Sequence, residues 1–405
     1  MEVYIGIDWS ENKHDIIFMN QAGAGIVQYT IPHKTEGFVR MDATRRDLGL
    51  ARDECLIGLE TAHNLVIDFL WARDYSHIYV IPPSVVKSNR GRQGQSGART
   101  DESDAWLLAD IVRTDRARLQ PWFPDSLLTR QIRAKVNLIH HLTRHNVRLC
   151  NRLRAVLLRY YPAAVQVFSS LQTQIALHFI RAYPTPQGAA DLSWAEFQAF
   201  AQQHGYRRPK RLPACFARLQ ADHPAASPET VLIYQDEAVQ LAELLLAGIQ
   251  AKKQAQRTLR SAFHQHPDHT IFSSLPGAGE LLAPALLAKF GDDRQRFPAP
   301  DGLQALAGTC PVTEKSGKRK RVKFRRACDR QFRHFAQQWA IASLSESVWA
   351  NAYWNTVRPR CDSDSHAYRC LANRWLAVAW KLWQSRTLYD EAYHLRQRAK
   401  HSRAH

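Results

Sequence analysis

The chain has 405 residues, and its 55 Lys and Arg against 37 Asp and Glu give a formal net charge of +18. This length predicts two or three domains with an ample core. A positive excess this large indicates a polyanionic partner, most simply a nucleic acid, rather than a merely solvated basic surface.

The seven cysteines are scattered and include no Cys-x-x-Cys pair. This pattern argues against a disulfide framework and against a zinc site, and predicts reduced thiols in a cytoplasmic protein. The N-terminus runs directly into a predicted strand, so we expect no signal peptide. No apolar run approaches the length of a membrane span, so we expect no membrane partner.

Short apolar runs separated by turn-forming residues fill the first part of the chain. The first three runs predict strands that pair as an antiparallel meander. The predicted elements are, in order, strands Val3–Trp9, Asp15–Asn20 and Gly25–Ile31, helix Thr35–Asp47, strand Cys55–Glu60, helix His63–Arg73 and strand His77–Ile81. The order βββ-α-β-α-β predicts an α/β ribonuclease-H-like domain over residues 1–118. In such sheets functional groups gather at strand ends.

Four carboxylates occupy positions that this fold brings together. Asp8 lies within the first apolar strand, where a charge is costly unless something neutralises it. Glu60 closes the fourth strand. Asp101 and Asp104 share one face of a helix that follows a loop rich in Gly, Arg and Ser. Four converging carboxylates repel one another unless cations lie between them, and they offer the oxygen ligands that Mg²⁺ or Mn²⁺ prefers.

Each acid also has an ordinary explanation when it is taken alone. Asp101 and Asp104 suit the first turn of a helix, where the helix dipole favours negative charge. Glu60 alone is an ordinary surface group at a strand end, and Asp110, further along the helix, is expected to be solvated. Together the four predict a site at which two divalent ions activate a phosphate.

Pro121 and Pro124 predict a linker, and a helical region follows over residues 119–268. One long helix runs from about residue 125 to 160 and a second from about 229 to 264. Both carry apolar residues at heptad spacing, which predicts a coiled coil formed either within the chain or between chains. The predicted seams contain Ile132, Ile139, Asn146 and Leu153 in the first helix, and Leu232, Val239, Leu246, Ala242, Ile249 and Phe263 in the second. The insert of about residues 161–228 stays unassigned.

The last region, residues 269–405, begins with the turn Leu275-Pro276-Gly277-Ala278-Gly279 before an apolar helix, Leu281–Phe290. Gly277 and Gly279 fit a helix-hairpin-helix turn, whose backbone amides hold a DNA phosphate at a helix N-terminus. A plain glycine turn explains the same residues equally well.

A densely basic loop encloses a single serine, Ser316. Such loops usually bind phosphates, and a serine hydroxyl at their centre can also attack one if a metal or base assists. No histidine–aspartate pair lies nearby in the sequence. The residues predicted to contact nucleic acid, besides Gly277 and Gly279, are Lys315, Lys318, Arg319, Lys320, Arg321, Lys323, Arg325 and Arg326.

Taken together, these segments resemble one family, the transposases of the bacterial insertion-sequence one-ten family, also called bridge-RNA-guided recombinases. The resemblance covers both ends of the chain in the family's order, but not about residues 161–228. The matching pieces are Gly6-Ile7-Asp8-Trp9-Ser10, Leu59-Glu60-Thr61, Arg99-Thr100-Asp101-Glu102-Ser103-Asp104-Ala105, Leu275-Pro276-Gly277-Ala278-Gly279, and Ala307-Gly308-Thr309-Cys310-Pro311 running to Ser316-Gly317-Lys318.

The resemblance implies a RuvC-like domain with a DEDD metal site, a helical coiled-coil region and a mostly α-helical C-terminal domain that bears a catalytic serine. Carried over by motif, the metal ligands are Asp8, Glu60, Asp101 and Asp104, and the nucleophile is Ser316. The resemblance also implies a structured guide RNA that pairs with target and donor DNA. It further implies a homo-oligomer, dimer or tetramer, in the bacterial cytoplasm and associated with the nucleoid.

The sequence therefore predicts a DNA recombinase in which Mg²⁺ or Mn²⁺ assists attack by Ser316, and a phosphoserine link stores the bond energy for rejoining. The sequence has no Walker-type motif, which agrees with a reaction that needs no ATP. One alternative is a RuvC-like structure-selective nuclease that uses water at the same metals and forms no covalent adduct. The other is a nucleic-acid-binding scaffold whose acids are structural.

Overall fold

The chain folds into two compact units, Met1–Pro124 and Asp125–His405. The computed structural model describes residues 2–60, 65–93, 101–317 and 319–403. The first unit is a mixed α/β structure built around one sheet, and the second is mostly helical. The predicted C-terminal region and all but the first six residues of the predicted middle region, 119–268, therefore fall within the second unit.

Five strands and four helices make up the regular structure described in the first unit. The strands are β1 (Val3–Trp9), β2 (Lys13–Met19), β3 (Gly25–Pro32), β4 (Cys55–Leu59) and β5 (Ile78–Val80). The helices are α1 (Thr35–Asp47), α2 (Leu65–Trp71), α3 (Pro83–Asn89) and α4 (Asp101–Asp115). The predicted strands and the first two predicted helices agree with these bounds to within two residues. The sequence did not predict α3, a short helix that begins at Pro83, directly after Pro82.

The five strands form one sheet in the order β3-β2-β1-β4-β5. β2 pairs antiparallel with both β1 and β3, which confirms the predicted meander. β4 pairs parallel with β1, and β5 pairs parallel with β4. β1 is therefore the central strand, and its C-terminal end lies in the middle of one edge of the sheet.

Helices cover both faces of this sheet. α1 and α2 bury one face, and α4 buries the other through residues such as Leu108. Gly6 in β1 and Gly58 in β4 lie directly beneath α4. A Cβ added at Gly6 would come within 1.8 Å of the Ala105 carbonyl oxygen. The two glycines therefore let the backbone of α4 rest on the strands, because any side chain there would push the helix away.

The second unit is helical apart from one two-stranded hairpin. Its elements are α5 (Leu127–Tyr160), α6 (Pro162–Gln166), α7 (Gln174–Ala182), α8 (Pro186–Ala190), α9 (Trp194–Gln203), α10 (Leu212–Leu219), α11 (Pro228–Gln265), α12 (His269–Ser273), α13 (Gly279–Phe290), α14 (Pro300–Leu306), β6 (Val312–Ser316), β7 (Arg319–Lys323), α15 (Arg330–Ser343), α16 (Val348–Val357), α17 (Asp364–Ser385) and α18 (Glu391–Arg403). Across the described ranges of the whole chain, no helix is both long enough and apolar enough to cross a membrane.

The long helices α5 and α11 pack against each other within the chain. The predicted seam of α5 is buried, with each of its members less than a tenth exposed: Ile132, Ile139, Asn146 and Leu153. A Cβ on Gly248 of α11 would come within 2.2 Å of the Asn146 side-chain oxygen, so the helices approach closely at this level. The sequence left open whether the heptads pair within or between chains, and the structure shows them paired within the chain.

The second long helix buries Ala242 of its predicted seam, but the prediction is wrong by one residue at the start of the helix. Leu232 is 69% exposed, whereas Val231 is buried. The inward positions follow the same heptad spacing through Ala238 and Leu245, which are also buried. Because the apolar residues of α11 are dense on neighbouring positions, the sequence alone favoured the adjacent register.

The insert at about residues 161–228 folds as α6 to α10 and shares one hydrophobic core with parts of α5 and α11. Phe168, Phe179 and Phe197 are buried at its centre. Their ring centroids lie 5.7, 6.2 and 6.1 Å apart in the three pairings. Aromatic packing of this kind has no sequence repeat, which is why the sequence could not assign the segment.

A tryptophan-rich core holds the last part of the second unit together. Trp339, Trp375 and Trp383 are fully buried. The indole of Trp375 donates to the Ser343 hydroxyl at 2.8 Å, and the indole of Trp339 donates to the Pro276 carbonyl at 2.9 Å. These bonds satisfy the only polar atom of the Trp339 and Trp375 rings, whereas Nε1 of Trp383 is buried without a hydrogen-bond partner among the described residues.

Candidate functional site

Asp8 and Glu60 lie next to each other at one edge of the sheet. β1 and β4 run parallel, and Ile7 opposite Leu59 is their last matched pair. Asp8 and Glu60 are the residues that follow on the two strands, and both side chains are half-buried. The parallel pairing therefore brings together two carboxylates that are far apart in sequence.

The first turn of α4 lies at the same edge. A Cβ at Gly6 would meet the backbone of α4 at Ala105, near the start of the helix. Arg116, just beyond the end of α4, donates to Glu2, just before β1, at 2.6 Å. The helix therefore runs antiparallel to β1, and Asp104 lies near the acidic end of the strand.

Asp101 is the first residue of α4, and its side chain lies outside the described part of the chain. Its backbone belongs to the same first turn as Asp104. We call the set Asp8, Glu60, Asp101 and Asp104 the acidic edge.

A guanidinium neutralises one member of the acidic edge. Arg90 donates from Nη2 to Oδ2 of Asp104 at 3.1 Å. Among the described side chains, Asp8, Glu60 and Asp104 do not form a group whose ligand oxygens all lie within 4.8 Å of one another. Carboxylates without a cation between them repel, and Arg90 compensates the charge of Asp104 in this arrangement.

A fifth carboxylate, Asp15, lies beside the acidic edge, and the sequence analysis did not single it out. Asp15 lies directly across from Asp8 in the β1–β2 pair, so both project to the face that α4 covers. It is only 5% exposed, accepts a hydrogen bond from Thr30 at 2.5 Å and lies 3.6 Å from the Lys13 ammonium. The sequence does contain a signal for Asp15, because an acid inside an apolar strand is unusual. The same signal identified Asp8.

The expectation that Asp110 is solvated is wrong. This residue is only 4% exposed. Arg113 donates to its Oδ1 at 2.5 Å, and Arg92 approaches its Oδ2 at 3.5 Å. Two guanidiniums replace the water that the carboxylate loses on burial, so Asp110 joins α4 to the segment after α3.

The residues of the acidic edge fit divalent cations. Carboxylate oxygens are the ligands that hard cations such as Mg²⁺ and Mn²⁺ prefer. The Arg90 guanidinium already lies beside the Asp104 carboxylate, so the acidic edge accommodates a positive charge there. Gly6 and Gly58 leave no side chain between α4 and the strands, so the helix brings its acids close to those of the sheet.

The serine predicted as nucleophile lies at the tip of an exposed β-hairpin, not in a loop as expected. β6 and β7 pair antiparallel, with Ser316 opposite Arg319 as the last pair. The connecting turn has two residues, and Gly317 adopts a left-handed φ of +55°, as tight hairpin turns require. The charged side chains of both strands are exposed, so this basic segment folds without burying a charge.

The hairpin has two chemically different faces. Alternation along the paired strands puts Ser316 on one face with Glu314, Arg319, Arg321 and Lys323. We call these five residues the serine face. Lys323 contacts Glu314 at 2.6 Å across the strands, which leaves Arg319 and Arg321 as the cations beside the serine. Lys315 and Lys320 lie opposite each other on the other face.

The remaining residues predicted to bind nucleic acid differ in exposure. Lys315, Arg319, Lys320, Arg321, Lys323 and Arg326 are exposed, and Lys318 lies outside the described residues. Arg325 is half-buried and donates to the Cys310 carbonyl at 3.3 Å, so it also braces the base of the hairpin. Within the described residues, no hydrogen bond to the Ser316 hydroxyl is present. The serine is therefore accessible but not paired with a general base.

Two arginines hold the base of the hairpin. Phe324 follows β7, and the guanidiniums of Arg333 on α15 and Arg369 on α17 lie 4.7 and 4.8 Å from its ring centre. Arg333 also donates to the Arg325 carbonyl at 3.2 Å. Cation–π contacts of this kind contribute about 0.5–1 kcal/mol each at exposed sites. The hairpin is thus fixed to two helices at its base while its tip projects freely.

The glycine turn before α13 is already engaged within the protein. The Gly277 amide donates to the Glu346 carboxylate at 2.7 Å, and a Cβ there would lie 2.4 Å from the Ser343 nitrogen. Gly279, with a φ of +54°, has open space where its Cβ would lie. The Gly277 amide therefore reaches a phosphate only if Glu346 moves, whereas the start of α13 at Gly279 is open.

Two family models match the chain, one in each part that carries site residues. Residues 5–162, which include the whole acidic edge, match a DEDD-type model of the IS110 group described as a transposase. Residues 269–355, which include the glycine turn and the hairpin, match the model described as transposase IS116/IS110/IS902 family.

Similar proteins align with this chain over nearly its full length. The chain is 29% identical over 401 residues to the mini-circle putative transposase for IS117 of Streptomyces coelicolor, which covers 96% of each chain. It is 24% identical to an IS116 protein of Streptomyces clavuligerus and 21% identical to an IS110 protein of Streptomyces coelicolor, with at least 95% of each chain covered. The two models and these full-length relatives agree, and the chain belongs to the IS110/IS116/IS902 family of insertion-sequence transposases.

Proposed function

We propose that this transposase cuts and rejoins DNA by attack of Ser316 on a backbone phosphodiester, with divalent cations at the acidic edge. The observation that carries this proposal is the position of Ser316. It is an exposed hydroxyl at the tip of a hairpin, on the same face as Arg319 and Arg321.

The serine face can bind a phosphate and position it for attack. Arg319 and Arg321 offer charge-assisted hydrogen bonds to phosphate oxygens, which position the phosphorus relative to Ser316. Glu314, directly opposite Arg321, pairs with Lys323 at 2.6 Å, so these two side chains together add no net charge to the face. Phosphate binding is therefore concentrated where the serine lies.

The proposed step replaces one phosphodiester bond by another. Ser316 Oγ forms a bond to phosphorus, and the bond from phosphorus to one deoxyribose oxygen breaks. The serine hydroxyl gives up its proton, and the leaving deoxyribose oxygen takes one up. Because the phosphoserine link retains the energy of the broken bond, rejoining needs no ATP.

The acidic edge is where we propose that the divalent cations bind. Divalent cations held there would supply positive charge that polarises a bound phosphate. Asp8, Glu60 and Asp104, with Asp101, are the residues that would hold them. Magnesium is the cation we propose, with manganese as its substitute. The parallel strand order of β1 and β4, with an antiparallel meander on one side, supports a ribonuclease-H-like arrangement for this unit.

We further propose that a structured RNA selects the DNA sites by base pairing, leaving the protein to hold backbone and shape. The net charge of +18 supports a polyanionic partner. Exposed arginines such as Arg144 and Arg148 along α5 support an extended phosphate-binding surface. The guide RNA and the homo-oligomeric state rest on the family resemblance.

A trapped covalent adduct tests the proposal. The full-length protein is incubated with Mg²⁺, guide RNA and labelled DNA, and then denatured. We expect labelled DNA that stays with the protein and is released by protease. Ser316→Ala should abolish both the adduct and strand cutting while DNA binding stays near normal. Thr313→Ala is the matched control, because Thr313 is an exposed hydroxyl on the opposite face of the same hairpin.

The size of the effect separates two roles for Ser316. A hydroxyl that only binds phosphate contributes about 0.5–1.5 kcal/mol, so its loss slows the reaction by about tenfold at most. A nucleophile has no substitute, so its loss should reduce the rate by several orders of magnitude. Cutting by Ser316→Ala at more than a tenth of the normal rate would instead indicate a metal-dependent nuclease that uses water.

A further inference from the structure

A second cluster of ligand-bearing side chains lies at the start of α17, far in sequence from the acidic edge. Cys361, His366 and Cys370 each offer one ligand atom, and these atoms all lie within 4.8 Å of one another. Within the described residues, no other group of three such side chains is so close. All three residues are half-buried, so an ion could enter from solvent.

Local backbone structure fixes the three positions. His366 and Cys370 are four residues apart on α17 and share one face of the helix. The Ser363 hydroxyl caps the helix by accepting from the His366 amide at 3.3 Å. Arg358 donates to the Cys361 carbonyl at 3.2 Å and pairs with the Asp364 carboxylate. The turn that carries Cys361 is thus held against the first turn of the helix.

We propose that Cys361, His366 and Cys370 bind a Zn²⁺ ion, with water as the fourth ligand. Two thiolates and an imidazole are the donor types that zinc prefers, whereas Mg²⁺ prefers oxygen. Around a tetrahedral zinc with Zn–S of about 2.3 Å, two sulfurs lie about 3.8 Å apart. The two sulfurs therefore need to close by at most about 1 Å, a distance within reach of side-chain rotation.

The spacing Cys-x-x-x-x-His-x-x-x-Cys explains why the sequence predicted no zinc site. That prediction relied on the absence of Cys-x-x-Cys, a pattern typical of ligands on a turn. Here two ligands lie on successive turns of a helix and the third lies on the preceding turn. Asp362 adds a negative charge near the site, with its Oδ2 3.9 Å from Nδ1 of His366.

The site has a structural consequence for the hairpin. Arg369, the neighbour of Cys370, places its guanidinium over the Phe324 ring at the base of the hairpin. A zinc ion that fixes the first turns of α17 would therefore also fix one of the two contacts that hold the hairpin. We infer that the ion would stabilise the attachment of the hairpin to α17.

Zinc content measured on the full-length protein tests this proposal. The protein is produced without an affinity tag that binds metal, purified under reducing conditions and analysed by mass spectrometry of its metals. We expect about one zinc per chain in the wild type. Cys361→Ser and Cys370→Ser should each lose most of it. Cys310→Ser, a half-buried cysteine of the same unit outside the cluster, should keep it.

Cobalt substitution in the wild type gives a readout that does not depend on how a variant folds. Zinc is removed by a chelator, Co²⁺ is added, and the absorption spectrum is recorded. We expect visible bands typical of tetrahedral cobalt and a sulfur-to-cobalt charge-transfer band, both lost on adding zinc. A wild-type protein with no zinc and no such bands would overturn the proposal.

Discussion

Asp8 and Asp15 face each other across β1 and β2, on the side of the sheet that α4 covers. Asp8 belongs to the proposed cation site, whereas Thr30 and Lys13 hold Asp15. Two carboxylates at directly opposed strand positions repel when both are charged. Asp15 therefore adds negative potential to the acidic edge, but it is not one of the proposed cation ligands.

Replacing Asp15 with asparagine should weaken cation binding without abolishing it. The amide keeps the hydrogen bond from Thr30 but removes one negative charge close to Asp8. We expect the Mn²⁺ dissociation constant, measured by titration calorimetry, to rise several-fold. Asp47→Asn, which removes an exposed acid at the end of α1, should leave the constant unchanged. Loss of all Mn²⁺ binding in Asp15→Asn would make Asp15 a ligand, and an unchanged constant would contradict the electrostatic role.

Replacing Arg90 with glutamine should have the opposite effect. Arg90 pairs with Asp104 and competes with any cation for that carboxylate. Without the guanidinium, Asp104 is free to bind the ion and one repulsive charge is gone, so Mn²⁺ should bind more tightly by several-fold. The same calorimetric titration measures this change. Weaker binding in Arg90→Gln would show that the arginine positions Asp104 instead of competing for it.

The sequence predicted the strands and three of the four α-helices of the first unit because alternating and helical apolar patterns are local signals. It predicted the acidic edge because a charge inside an apolar strand is anomalous, as at Asp8. It did not single out Arg90, because nothing local shows that an arginine in a glycine-rich segment folds back onto α4. The register of α11 and the convergence of Cys361 with Cys370 depend likewise on tertiary packing.

The two faces of the hairpin should contribute differently to DNA binding. Arg321 lies on the serine face and Lys320 on the opposite face, and both are exposed. If DNA lies against the serine face, Arg321→Ala should weaken binding and reduce the slope of log affinity against log salt by about 0.9, the effect of one lost phosphate contact. Lys320→Ala should change the slope much less. Equal effects would indicate that both faces contact DNA.

Mixing two inactive variants tests whether the proposed site is shared between chains. The acidic edge and Ser316 belong to different compact units. If each site takes acids from one chain and serine from another, Asp8→Ala and Ser316→Ala proteins should restore part of the cutting activity when mixed. Strand cutting on labelled DNA is the measurement. A mixture as inactive as its components would assign both groups to a single chain.

Acid stability should depend on Asp292. Burial alone would raise the pKa of Asp292, but hydrogen bonds from His266, Thr129 and the Ser126 amide outweigh it and hold the pKa well below its ordinary value of 3.8. The folded state therefore binds this proton more weakly than the unfolded state. The stabilisation is fully present above the ordinary pKa and is lost as the pH falls below it.

Asp292→Asn should therefore lower the free energy of unfolding at neutral pH and reduce its loss in acid. Urea unfolding of both proteins between neutral pH and about pH 3 measures the two curves. The difference between wild type and variant should shrink as the pH falls below about 4. A constant difference across this range would show that charge on Asp292 does not contribute to stability.

The contact between Gly6 and α4 has a consequence for how mutations in this protein would be interpreted. Gly6 binds neither cation nor DNA in the proposed mechanism, yet any side chain there would meet the Ala105 carbonyl. The helix would have to lift off the sheet and take Asp104 with it. In a saturation mutagenesis experiment, we therefore expect every substitution at position 6 to inactivate the protein, as substitutions of the four acids should. The reason differs, because position 6 needs only the absence of a side chain.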